Sequence, residues 1–197
     1  CYWASEYHID GFRFDLMGVL DIETLNEARK ALLKINPDII MYGEGWTGGE
    51  STLPESERGM KINAPRTPGI GMFSDDIRDA VKGHVFYMDE LGFVNGAADR
   101  GEELKQAVTC AKWAKSPMQS INYLSCHDNY TLWDRFIISN SHESEEMRIR
   151  MNKLAAAILF TAQGIPFFLH GEEFARTKIS EADGAPVENS YCSPLSV

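Results

Sequence analysis

Apolar residues recur along this chain in two rhythms: short runs of strand length, and stretches where they return every three or four positions. The first run covers 7–15 and alternates toward its end. Asp21 then stands as a helix cap with Glu23 in the first turn, and Ile22, Leu25, Ala28, Leu32 and Ile35 follow at helical spacing until Asn36-Pro37. A second strand-length run, 38–44, breaks into glycines. Residues 47–71 are rich in Gly, Pro, Ser and Thr without periodicity, which predicts a long loop. Met72-Phe73 predicts a short strand, followed by a helical turn from Asp76 to Lys82. A helix over 102–115 has Leu104, Ala107, Val108 and Ala111 on one face and ends before Pro117. Residues 120–126 read as a strand. The strongest helical pattern spans 144–163, with Met147, Met151, Leu154, Ala155, Ile158, Leu159 and Ala162 on its face and Gly164 as its stop. A last strand covers 165–169, and Gly171-Glu172-Glu173 follow.

Strands alternating with helices predict parallel βαβ units, roughly 4–5 of them, in an α/β fold. Apolar residues on both strand faces suit a sheet covered on both sides. A closed eight-stranded barrel needs about 250 residues, and the chain has 197. The pattern alone therefore leaves two solutions, a complete open sheet or an incomplete barrel. Composition adds exclusions. A hydrophobic share of 44% with 24% charged residues suits a packed core. Nineteen basic against 29 acidic residues, a net charge of −10, argue against nucleic acid as the partner. No run of 18 apolar residues offers a membrane-spanning helix. The chain starts at Cys1 with no charged-then-apolar leader, so a processed or truncated N-terminus is expected. Cys1, Cys110, Cys126 and Cys192 lack zinc-ribbon spacing and are expected as free thiols.

Polar groups gather where the strands end: Arg13 and Asp15, then Glu44, then His127 and Asp128, then Glu172 and Glu173. That edge holds the active site in parallel α/β proteins. Arg13 and Asp15, two apart on a strand, share a face, so the guanidinium can orient the carboxylate and favour its charge. Glu44 lies between Gly43 and Gly45, and Trp46 offers an apolar wall that would favour its acid form. Two carboxyl groups held in opposite protonation states are what glycoside hydrolysis requires. One acidic residue after a strand is ordinarily a cap or a solvated loop residue; acidic positions after three separate strands, with Arg13 and His127 beside them, are not. Gly43-Glu44-Gly45-Trp46-Thr47-Gly48 has dinucleotide-loop spacing, but Ser51, Thr52 and Pro54 follow instead of a helix. His8 with Asp10 and His127 with Asp128 lack zinc-site spacing, so hydrogen-bonding roles are expected, and no serine-hydrolase elbow occurs.

With these residues in view, the sequence resembles a known family. Residues 10–18, Asp-Gly-Phe-Arg-Phe-Asp-Leu-Met-Gly, resemble the nucleophile region of the α-amylase superfamily, glycoside hydrolase family 13. Tyr42-Gly43-Glu44-Gly45-Trp46 resembles its acid/base region, and His127-Asp128-Asn129 the region of its third carboxylate. Within the family, the Phe-Asp-Leu-Met-Gly and Gly-Glu-Gly-Trp variants and residues 125–134 are similar to type I pullulanases. Residues 167–178 and Asn189-Ser190-Tyr191 are similar to the end of their catalytic domain. The resemblance implies a partial (β/α)8 TIM barrel, roughly strands four to eight. Residues 1–197 would be the C-terminal portion of a catalytic barrel with both ends missing, so that the rest of that domain is itself a partner. It implies a retaining hydrolase of α-1,6 links in pullulan and branched α-glucans, with Asp15 as nucleophile, Glu44 as acid/base and Asp128 as transition-state stabiliser. Arg13, Trp46, His127 and Asn129 would bind substrate. No cofactor is required by the resemblance; calcium accompanies some such enzymes, and no ligand set is identified here. The competing readings are an isoamylase or other family 13 hydrolase, and a noncatalytic glucan-binding module.

Overall fold

The computed structural model describes residues 1–180 and 184–187. Asn189-Ser190-Tyr191 and Cys192 lie outside the described residues. The five strands are β1 (Gly11–Phe14), β2 (Ile40–Gly43), β3 (Gly71–Ser74), β4 (Ser120–Tyr123) and β5 (Ile165–Phe167). They form one sheet in chain order, β1-β2-β3-β4-β5. β1 and β2 run parallel, Arg13 opposite Tyr42 and Phe14 opposite Gly43, and β2 runs parallel to β3. A doubly wound sheet reverses its strand order where the crossovers change side. Strict chain order instead belongs to a section of a (β/α)8 barrel, which resolves the choice that the sequence pattern left open.

Among the described residues six helices accompany the strands: α1 (Tyr2–Glu6), α2 (Ile22–Leu32), α3 (Asp75–Lys82), α4 (Gly101–Val108), α5 (Leu132–Ser139) and α6 (Glu145–Thr161). The Asp21 side chain caps α2 by accepting from the Thr24 N–H at 2.7 Å, and Ser144 caps α6 by accepting from Met147 N–H at 3.2 Å. Between β2 and β3 the described backbone has only short 3-10 turns, Glu55–Glu57 and Lys61–Arg66, as the aperiodic sequence predicts. No helix of the described residues is long and apolar enough to cross a membrane.

Three elements depart from expectation. The first strand covers Gly11–Phe14 rather than 7–15, because Tyr2–Glu6 is helical and His8 turns the chain at φ 55°. The helix expected over 102–115 stops at Val108, ahead of Cys110 at φ 95°; an L-residue there cannot continue a right-handed helix. Helix α5 follows a capping threonine, Thr131, which accepts from the Asp134 N–H at 3.1 Å.

The chain divides into two compact units, Cys1–Phe73 with Cys110–Ile121, and Ser74–Thr109 with the described residues from Asn122 onward. The first packs Met17, Leu25, Leu32, Ile39, Met41, Ile70 and Met72 into a core. The second packs Ile77, Val81, Leu104, Leu124, Leu132, Phe136, Ala155 and Leu159. Of the predicted α6 face, Ala155 and Leu159 are fully buried, while Met147 and Leu154 stay exposed. Cys1, Cys110 and Cys126 are free thiols.

Candidate active site

In the first unit the polar groups converge because β1 and β2 are in register to their ends. Phe14 lies opposite Gly43, and Glu44 N–H donates to the Phe14 carbonyl at 3.0 Å. That approach needs a glycine at 43: a Cβ there would lie 2.5 Å from the Phe14 carbonyl oxygen. Arg13 then reaches two carboxylates with one guanidinium. Its Nη1 donates to Asp15 Oδ1 at 2.7 Å and its Nη2 to Glu44 Oε1 at 2.5 Å. The other oxygen of Glu44 accepts from Leu16 N–H at 2.9 Å. Leu16 aims that N–H from a left-handed conformation, φ 43° and ψ 49°, which costs an L-residue roughly 1–2 kcal/mol. One carboxyl oxygen of Asp15 and one of Glu44 lie within 4.8 Å of each other.

The two acids differ in exposure. The Glu44 side chain is 6% exposed, that of Asp15 65%. Glu44 is held by hydrogen-bond donors. Both its oxygens take N–H donors, and Trp46, half-buried, contributes its carbonyl to Gly18 N–H at 3.0 Å. Arg13 is braced in turn over the ring of Phe73, 5.9 Å from its centroid.

In the second unit His127, Asp128 and Asn129 form the half-buried loop beyond β4. His127 Nε2 lies 3.4 Å from Asp128 Oδ2. Asn129 is left-handed at φ 59°. Behind the loop, Ser125 Oγ accepts from Leu132 N–H at 2.8 Å and ties the strand end to α5. Burial raises the Cys126 thiol above its ordinary range.

Glu172 and Glu173, which also follow a strand, separate in role. Glu173 accepts from Gly171 N–H at 2.9 Å. Glu172 is 4% exposed, and its oxygens have no well-formed hydrogen bond among the described residues. Burial pushes it up to about 7, against the pull of Lys82. Lys82, 2% exposed, is driven down to about 7 by burial and by Arg78. Sequence reasoning missed Lys82, Arg78 and Lys178 as buried cations. The available signal was local for two of them: Arg78 and Lys82 stand four apart on α3 beside the buried pair Ile77 and Val81.

The barrel section is the fold that the resemblance to glycoside hydrolase family 13 implies. No protein-family model matches the chain. A pullulanase of Bacillus subtilis (strain 168) is 40% identical over 203 residues, which takes in 100% of this chain and 27% of the relative. The crystal structure of a pullulanase from Anoxybacillus sp. LM18-11 complexed with maltotetraose superposes with a TM-score of 0.91 at 47% identity, over 98% of this chain and 27% of that one. That of a Paenibacillus barengoltzii pullulanase in complex with maltohexaose and alpha-cyclodextrin does so with a TM-score of 0.88 at 48% identity, over 96% and 30%. By sequence and fold, the chain is homologous to pullulanases of glycoside hydrolase family 13 over nearly its whole length. It spans between a fifth and about a quarter of the length of the curated relatives it matches best.

Proposed function

We propose that this chain is the C-terminal portion of a glycoside hydrolase barrel, strands four to eight, and that the complete barrel hydrolyses α-1,6-glucosidic links in pullulan and branched α-glucans with retention. The observation that carries this reading is the approach of Asp15 and Glu44 to within 4.8 Å. Retaining enzymes hold their carboxyl pair about 5–5.5 Å apart, whereas inverting enzymes leave room for a water between. The relatives named pullulanase, and the maltotetraose bound to one of them, support an α-glucan as the partner.

In this mechanism Asp15 attacks the anomeric carbon. The bond to the leaving sugar oxygen breaks as Glu44 gives that oxygen its proton, and a glycosyl ester forms on Asp15. Glu44 then takes a proton from water, the water oxygen bonds to the anomeric carbon, and Asp15 departs as carboxylate. Arg13 orients both acids. Because a guanidinium offers donors only, its hydrogen bond to Glu44 Oε1 weakens when that oxygen carries the proton. Asp128 stabilises positive charge developing at the anomeric carbon, and Trp46, His127 and Asn129 bind the sugar.

The test is turnover of pullulan by the complete barrel protein. Glu44→Gln is expected to lower kcat about 10²–10⁴-fold, and Asp15→Asn at least as much, with glucan binding retained. Proton NMR of fresh product should show the retained anomer. Near-normal turnover in Glu44→Gln would remove it as the acid. Glucan binding without turnover in the unmodified protein would favour a noncatalytic module, and release of glycogen branches with pullulan left intact would favour an isoamylase.

A further inference from the structure

The stretch beyond β5 contains a lysine that the mechanism above does not use. Lys178 is 2% exposed. Its Nζ donates to the His127 carbonyl and to the Asn129 carbonyl, each at 2.6 Å. These are the carbonyls on either side of Asp128. The carbonyl of Asp128 itself accepts from Cys126 Sγ at 3.7 Å. Three consecutive carbonyls are thus accounted for, two by Lys178 and one by Cys126. The lysine is anchored in turn: its N–H donates to Asp134 Oδ2 at 2.8 Å, and the same oxygen accepts from Thr131 Oγ1 at 2.8 Å. Asp134 is fully buried, and its carboxylate joins the lysine to the first turn of α5. Burial opposes the charge on Lys178 and lowers its pKa, while Asp128 and Asp134 favour that charge.

We propose that Lys178 is a positioning residue for Asp128: one ammonium holds the two flanking carbonyls and fixes the backbone from which the Asp128 carboxylate projects. Ordinary loop packing would not require an ammonium. Turning backbone carbonyls toward an apolar group would leave them unsatisfied, and an ammonium, with three donors, can serve both at once. Asn129, held left-handed between Asp128 and Tyr130, is the bend that brings its carbonyl to the same nitrogen as that of His127. The link joins loops 49 and 51 residues apart in sequence. It rests on the proposed catalytic role of Asp128 only for its effect on rate; the fixing of the loop is independent of it.

The experiment compares Lys178→Met, which keeps the apolar stem and removes the donors, with Asp128→Asn and the double variant, all in the complete barrel protein. Amide hydrogen exchange over 126–130 should accelerate in Lys178→Met, while β4 at 120–123 keeps its protection. Turnover of pullulan should fall about 10–100-fold, as displacement of a reacting group by an ångström or so does, with KM little changed. In the Asp128→Asn background the same substitution should cost under threefold, since the group it positions is already disabled. Lys178→Arg, with a charged donor on a stem of similar reach, should recover part of both protection and rate. Unchanged exchange over 126–130, or a full additional loss in the double variant, would overturn the proposal. Should Asp128→Asn turn over normally, the catalytic reading of Asp128 fails and exchange alone decides on Lys178. If Lys178→Met does not fold, Lys178→Gln, polar and one atom shorter, replaces it with the same outcomes.

Discussion

Arg13 in the first unit grips two carboxylates directly, whereas Lys178 in the second grips the backbone carbonyls on either side of one. The buried glutamates of the two units differ in a matching way. Glu44 has an N–H donor on each oxygen; Glu172, equally buried, has no such N–H donor among the described residues and lies near a buried lysine instead. A cation on a side chain influences both charge and orientation. A cation on the backbone controls position and leaves the side chain to meet its ligand. The first arrangement suits groups that react with the substrate, by bond formation or by proton transfer, and the second suits a group that only has to stay where it is.

The largest effect is expected at the direct grip. Arg13→Met should cut turnover of pullulan by about 10²-fold, since it releases both acids from their common donor. Its thermal midpoint should fall as well: the pair with Asp15 is solvent-exposed and contributes little, but the buried Glu44 would keep only the Leu16 N–H as donor. If Arg13→Met turns over faster than Lys178→Met, the ranking of direct over backbone grip is reversed.

The buried lysine gives a smaller, pH-dependent effect. Lys82 in the folded chain releases its proton near 7, against an ordinary 10.5. Between those values the unfolded chain holds a proton that the folded chain lacks, so this residue makes stability rise with pH from about 7 to 10.5. Below 7 the cost of the buried charge is fully present. Lys82→Met should therefore be more stable than the parent at pH 6, by on the order of 1–3 kcal/mol, and the gain should vanish toward pH 10.5. Urea midpoints at the two pH values measure it. No gain at pH 6 would mean that Glu172 compensates the charge after all.

The smallest effect belongs away from either site. Ser144→Ala removes the cap of α6 and should cost about 1 kcal/mol in urea unfolding with kcat unchanged. A drop in kcat there would mean that α6 bears on the chemistry, and that the contrast between the two grips is incomplete.

Periodicity revealed what depends on near neighbours. Helix α2 begins at the capping Asp21, and α6 falls within one or two residues of its expected ends. It failed where one backbone angle decides, as at His8 and Cys110, and at α5, whose 8 residues are too few for the pattern to speak. At the candidate site, Arg13 and Asp15 were readable as a pair because strand spacing alone puts them on one face. The second grip of Arg13, on Glu44 across 31 residues, depends on strand register. Lys178 was invisible for the same reason: nothing within ten residues of it says which carbonyls it will meet.

The link between residue 178 and residues 127–129 bears on anyone who would re-engineer this chain. The described stretch after β5 has little regular structure beyond a turn at Glu172–Phe174 and a single antiparallel bridge between Ile179 and Pro186, and by appearance it is the natural place to graft a tag, a protease site or a permuted terminus. Tolerance of such cuts follows the burial and hydrogen bonding of the backbone, not its lack of helix or strand. Here the backbone N–H of Lys178 is held by Asp134, and its carbonyl accepts from Val187 N–H at 2.8 Å. An insertion at 176–179 would therefore be felt at Asp128, some fifty positions upstream, while one at the exposed Gly49, where a Cβ would meet nothing within 4 Å, has room to be accommodated.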